Sequence, residues 1–239
     1  MEETNVKKQR LGRPHPEHHF LFSDRVRDIV IGMADGLTVP FALAASLAGV
    51  INSGQIIITA GLAEIAAGSV AMGLGGYLAA KTEAEHYETE LIREKKEIEE
   101  LPQREKEEVA EVFREYGLSE KSVRDLVEEL SRDQEQWANF MMKFELGLER
   151  PEPRQARASA WTIALSYVVG GLLPLMPYFF LDVLPALVAS AVITLLALFI
   201  FGYVKGVFTG TKPWKNALQT ALVGGLAAAV AFTLASWIS

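Results

Sequence analysis

Residues 56–101 read IIITAGLAEIAAGSVAMGLGGYLAAKTEAEHYETELIREKKEIEEL, and the fold turns on the change of character at Lys81. Before that lysine the run is apolar and small, with Glu64 its only charge. After it acids and bases follow one another as far as Leu101 without a Gly or Pro. About 20 apolar helical residues cross a hydrocarbon core of about 30 Å. With nothing to break the helix at Lys81, the spacing predicts one long helix that leaves the membrane and continues into solvent. Pro102 ends it and is suited to the first position of the next helix.

Working outward, four more apolar runs appear, at residues 26–51, 158–180, 183–204 and 217–238. The charges avoid them: residues 81–157 alone hold 14 basic and 22 acidic side chains, a net of −8 in a chain whose total is −7. The first 20 residues are basic and include His15, His18 and His19, with no apolar run of signal type ahead of the first span, and read as a solvated tail. Cytoplasmic loops retain Lys and Arg. An N-terminus inside puts all 23 of them in the tail with the adjoining Arg27, in the insert and in the turn carrying Lys205, Lys212 and Lys215, and leaves the C-terminus on the far side.

The expected fold is therefore all-α, a polytopic membrane protein with five transmembrane helices and a helical cytosolic domain inserted between helices 2 and 3. Its divisions are residues 1–25 (N-terminal cytosolic tail), 26–80 (helices 1 and 2), 81–157 (acidic insert) and 158–239 (helices 3 to 5). Within the insert, helices are expected at 103–116, ended by Gly117, then after an N-cap at Ser119, and through Trp137 and Phe144 to about Gly147. Pro151 and Pro153 mark the return to the membrane.

Two acids sit deep in the apolar runs, Asp35 in the first and Glu64 in the second. An ionisable group at membrane depth costs a few kcal/mol or more, so it reads as functional by default, the bland reading being a hydrogen bond to a neighbouring helix. Met72 follows Glu64 by two turns and Asp28 precedes Asp35 by seven residues, so each helix can present a ladder of ligands. A thioether beside carboxylates suits a borderline-soft divalent ion better than magnesium or calcium, although a methionine in an apolar helix also serves as packing. Pro40 removes one hydrogen bond inside the first span, and Ala63, Ala67, Ala71, Gly75 and Ala79 form a stripe of small residues for close helix contact, within the chain or across a dimer.

In the insert, Glu94 and Glu97 share one helix face and Glu105 and Glu108 another, and the turn at Pro102 can bring the two pairs together. Met141 and Glu145 form an i, i+4 pair that could close the cluster from a third side. Like charges held close call for cations; in so acidic a segment, same-face pairs also arise by chance. Glu83 and His86 form a single Glu-x-x-His step where di-iron bundles need two. No cysteine, phosphate-binding loop or nucleophile triad is present, and the acidic insert argues against nucleic acid.

Residues 23–41, SDRVRDIVIGMADGLTVPF, and residues 63–73, AEIAAGSVAMG, with Tyr77, Leu78 and Ala79, resemble the two signature segments of the vacuolar iron transporter family. The resemblance extends over nearly the whole chain, since five spans with a charged insert after the second is also that family's layout, and nodulin-like relatives lack the insert. It implies a homodimer in the vacuolar membrane, not an enzyme, that exchanges cytosolic Fe(II) for protons, with the ion path at the dimer interface. Asp35 and Glu64 would be its transport carboxylates, Met72 its pathway methionine, with Asp28 further along the same helix. The family's metal-binding domain would fall on Glu94, Glu97, Glu105, Glu108, Met141 and Glu145, with Met142 as a further donor. No permanent cofactor is implied; Fe(II) is the substrate, and Zn, Co, Ni or Mn would also bind the cytosolic domain. A membrane-anchored metal sensor or buffer without transport is the alternative.

Overall fold

The computed structural model describes residues 24–152 and 154–238. All regular structure among them is helical: α1 (Asp24–Val50), α2 (Gly54–Glu100), α3 (Pro102–Glu115), α4 (Glu120–Leu130), α5 (Gln134–Phe144), α6 (Gln155–Leu175), α7 (Val183–Phe208) and α8 (Pro213–Ile238), with a short 3-10 turn at Met176–Phe179. The histidine trio and the N-terminal tail lie outside the described residues. Five of the helices, α1, α2, α6, α7 and α8, are long and apolar enough to cross a membrane. Leu184, Val188, Val192, Leu196, Leu222 and Leu226 point outward from α7 and α8. A row of large apolar side chains facing out is at home in hydrocarbon, where polar groups would be penalised.

α1 packs against all four other long helices, most extensively against α6, which also packs against α2, while α8 packs against α7 and α1. Small residues allow the α1–α6 approach. A Cβ at Gly36 would overlap the backbone carbonyl of Tyr167, and one at Gly170 would come within 3.1 Å of Met33 O. Pro40 is buried inside α1 and touches the face of α6 at Gly171. The sequence reading did not single out Pro174, where α6 gives way to the 3-10 turn. Its carbonyl accepts a hydrogen bond of 2.7 Å from Ser190 of α7, which satisfies an oxygen near the helix end.

α2 runs 47 residues without interruption. At 1.5 Å per residue that is about 70 Å, roughly twice a hydrocarbon core, so its second half stands clear of the bundle. There it joins α3, α4 and α5 around a core of Ile98, Val109, Val123, Val127, Trp137 and Met141. Pro102 occupies the first turn of α3. Gly117 takes φ 79°, and Leu118 N–H reaches back to Phe113 O, a helix end of the Schellman type. Ser119 caps α4 by accepting from Ser122 N–H.

Candidate metal pathway and acidic cluster

Glu64 stands on the flank of α2 and Tyr167 on the buried face of α6. Gly68, one turn after Glu64, leaves room for the tyrosine ring: a Cβ there would lie 2.5 Å from the phenolic oxygen. The ring fills that gap and its hydroxyl donates to Glu64 Oε1 at 2.5 Å. Oε2 of the same carboxylate is buried and accepts nothing from the described residues. One oxygen is thus fixed by a neighbour and the other is free to take a proton or an ion. The tyrosine backbone in turn backs onto Gly36, beside Asp35, so Tyr167 links the two helices that carry the intramembrane acids.

Asp35 and Met72 are partly buried, Asp35 on α1 and Met72 on α2. Asp28 is only 3% exposed, and its carboxylate has Arg27 Nε at 3.7 Å. Among the described residues nothing covers the small-residue stripe of α2: Ala63, Ala67, Ala71, Gly75 and Ala79 are all exposed, and no described atom lies within 4 Å of a Cβ built at Gly75. Glu64 borders that open face, since Ala67, Ala71 and Gly75 follow it at helical spacing. Tyr167 went unnoticed in the sequence because it is 103 residues from its partner, and a tyrosine in an apolar helix carries no signal of its own.

In the helical insert the turn at Pro102 folds α3 back along α2 and brings Glu94, Glu97 and Glu105 together, with one oxygen of each lying within 4.8 Å of the others. Glu94 and Glu105 are almost wholly buried, and Glu94 Oε1 and Glu105 Oε2 accept no hydrogen bond from the described residues. Burial, then the charges of Glu105 and Glu145, pushes the Glu94 carboxyl up to about 8. Glu105 is also raised, by burial and then by Glu108. Glu145, at the C-terminal end of α5, is raised by burial and then by the charges of Glu108 and Glu97, which puts both within electrostatic reach of it. Five carboxylates from three helices therefore act on one another here.

Met141 is completely buried in the apolar core of the lobe, among Ile98 and Val109, each one turn along its helix from Glu94 and Glu105. Met142 is buried beside it in sequence. Carboxylate oxygens that lie this close together form a donor set for a divalent ion. His86 is exposed on α2, apart from this cluster.

The sequence model of the VIT family matches residues 26–236. The chain is 54% identical over 236 residues to a protein of Centaurea cyanus named "Vacuolar iron transporter", covering 98% of this chain and 96% of that one. It is 53% identical to "Vacuolar iron transporter 1" of Arabidopsis thaliana, over 95% of this chain and 92% of the relative. "Protein CCC1" of Saccharomyces cerevisiae is 36% identical over 217 residues, with 87% of this chain and 67% of the yeast protein covered. With a family match across all five long helices and relatives above half identity at nearly full length, the chain belongs to the VIT family.

Proposed function

We propose that this protein carries Fe(II) from the cytosol into the vacuole in exchange for protons, and that Zn, Co, Ni and Mn ions share its binding groups. The observation that carries the reading is Glu64: a carboxylate at membrane depth, half fixed by Tyr167 and half unpartnered, beside an exposed face of small residues. The names of these relatives support iron as the substrate and the vacuole as the destination.

In this mechanism Asp35, Glu64 and Met72 receive the ion as the carboxylates lose protons, and Asp28 lies farther along the same path. Reprotonation from the acidic lumen returns the carboxyls to their neutral form and releases the ion. The open stripe of α2 supports a homodimer, with the path running between two copies at Glu64. The distribution of Lys and Arg supports a cytosolic N-terminus and insert and a luminal C-terminus. The boundaries 1–25, 26–80, 81–157 and 158–239 then separate tail, first helix pair, cytosolic metal-binding domain and remaining spans.

The insert takes the ion first. Glu94, Glu97, Glu105, Glu108, Glu145 and Met141 gather cytosolic metal near the membrane and raise its concentration at the path. Close carboxylates with buried, unpartnered oxygens support this role, because a divalent ion relieves both their repulsion and their desolvation.

The test is Fe(II) uptake into proteoliposomes under an imposed proton gradient. The intact protein is expected to accumulate iron, and Asp35→Ala to abolish accumulation while Glu105→Ala reduces it. Metal bound without accumulation, lost in Glu105→Ala and untouched by Asp35→Ala, would instead establish a sensor or buffer.

A further inference from the structure

The acidic cluster is held between two cations. On α2, Arg93 Nε lies 3.6 Å from Glu97 Oε1, and its other arm reaches Glu90 at 3.0 Å. On α3, Arg104 Nε donates to Glu108 Oε1 at 3.0 Å. Each guanidinium therefore grips a cluster carboxylate four residues farther along its own helix. Both also act on Glu145 of α5, favouring its ionised form against the opposing push of Glu108 and Glu97. Arg104 in addition feels the charges of Glu105 and Glu97.

Both arginine side chains are more than half exposed. Exposed ion pairs add little to fold stability, so holding the helices together is a poor account of the pair. What distinguishes them is their target: one from each helix of the hairpin, each on an outer carboxylate of the same cluster. A guanidinium does not give up its proton at any working pH, so its charge remains whether or not metal is bound. It also occupies carboxylate lone pairs that an arriving ion needs.

We propose that Arg93 and Arg104 are positioning residues that pair with Glu97 and Glu108 in the empty cluster and oppose a bound divalent ion, so that metal is held weakly and passed on. This rests on the reading of the cluster as a metal site. Glu94 and Glu105, buried and paired with no arginine among the described residues, capture the ion. Glu97, which already has one oxygen within 4.8 Å of theirs, and Glu108 offer the ion their arginine-paired oxygens only by giving up those guanidinium partners, and the restoring pull of the arginines speeds release. A fixed positive charge several ångströms from a divalent ion, screened by water and salt, weakens binding by roughly tenfold for the two together.

The experiment titrates the intact protein in detergent with Zn(II) against a chromophoric chelator at neutral pH, then follows release after excess chelator is added. Glu105→Ala identifies the part of the binding that belongs to the cluster. Arg93→Gln with Arg104→Gln is expected to tighten that part about tenfold and to slow release by a similar factor. Arg93→Lys with Arg104→Lys keeps both charges and is expected to stay close to the unsubstituted protein. Unchanged or weaker binding in the glutamine variant, with the Glu105→Ala component intact, overturns the role assigned to the arginines. Lysine substitutions that tighten binding as much as glutamine also overturn it, because charge would then not be the cause. Zn(II) binding that Glu105→Ala leaves untouched rejects the cluster as a metal site and the arginine role with it.

Discussion

At Glu64 the chain holds a carboxylate whose two oxygens differ: one receives the Tyr167 hydroxyl and the other has no partner among the described residues. A hydrogen bond to a charged acceptor is worth about 1.5–3 kcal/mol, and leaving a buried acceptor unpaired costs a comparable amount. Tyr167→Phe is therefore expected to lower stability by about 1–3 kcal/mol in thermal unfolding in detergent. It should also cut iron uptake in proteoliposomes several-fold, because Glu64 is then free to turn away from the proposed path. Uptake at the full rate would show that the hydroxyl does not orient the carboxylate. Glu64 was legible in the sequence as an acid in an apolar run, but its partner was not. Tyr167 becomes significant only when α6 is laid against α2 at Gly68, a contact between residues far apart in the chain.

Among the elements, the α1–α6 contact and the α2–α3 hairpin make opposite demands. α1 and α6 approach so closely at Gly36 that an added methyl would meet backbone, which cannot move aside as a side chain can. Gly36→Ala is expected to cost about 1–3 kcal/mol in thermal unfolding, the usual range for overpacking, whereas Gly75→Ala, in open space, should change it little. The hairpin instead gathers like charge. Glu94, with an ordinary value of 4.5, is raised to about 8 in the folded lobe, so between those pH values the folded state holds a proton the unfolded state has lost. Stability from this group is fully present below pH 4.5 and is lost as pH rises through 8. The metal-free lobe should thus melt at a lower temperature at pH 8 than at pH 5, followed by fluorescence in a variant whose only tryptophan is Trp137. Added Zn(II) should restore much of the difference at pH 8 and little at pH 5, where protons compete for the same oxygens.

For the whole molecule, the exposed stripe on α2 decides whether one copy is sufficient. Gly75→Trp adds bulk where none of the described residues lies, so the fold of each copy should survive while close approach of a second α2 is blocked. Light scattering in detergent is expected to give twice the 26.3 kDa chain mass for the unsubstituted protein and the single mass for the variant. Uptake should fall with the loss of pairing. A variant that remains double in mass, or an unsubstituted protein that is already single, would remove the open stripe as the place where two copies meet.

Sequence alone determined the helix pattern. Apolar runs long enough to span a bilayer, an unbroken passage from Lys81 to Leu101, Pro102 as the start of α3 and Gly117 as its end are local properties, and the structure repeats them within a few residues. The i, i+4 pairs Arg93–Glu97 and Arg104–Glu108 are local too, yet spacing gave no reason to prefer them to the many other charge pairs in the insert. Only the tertiary structure decided which faces meet: that Glu94 and Glu105 turn inward and lose water, that α6 carries Tyr167 to Glu64, and that the small residues of α2 remain uncovered. Helix periodicity states which residues share a face, whereas the partner of that face depends on packing between segments distant in the chain.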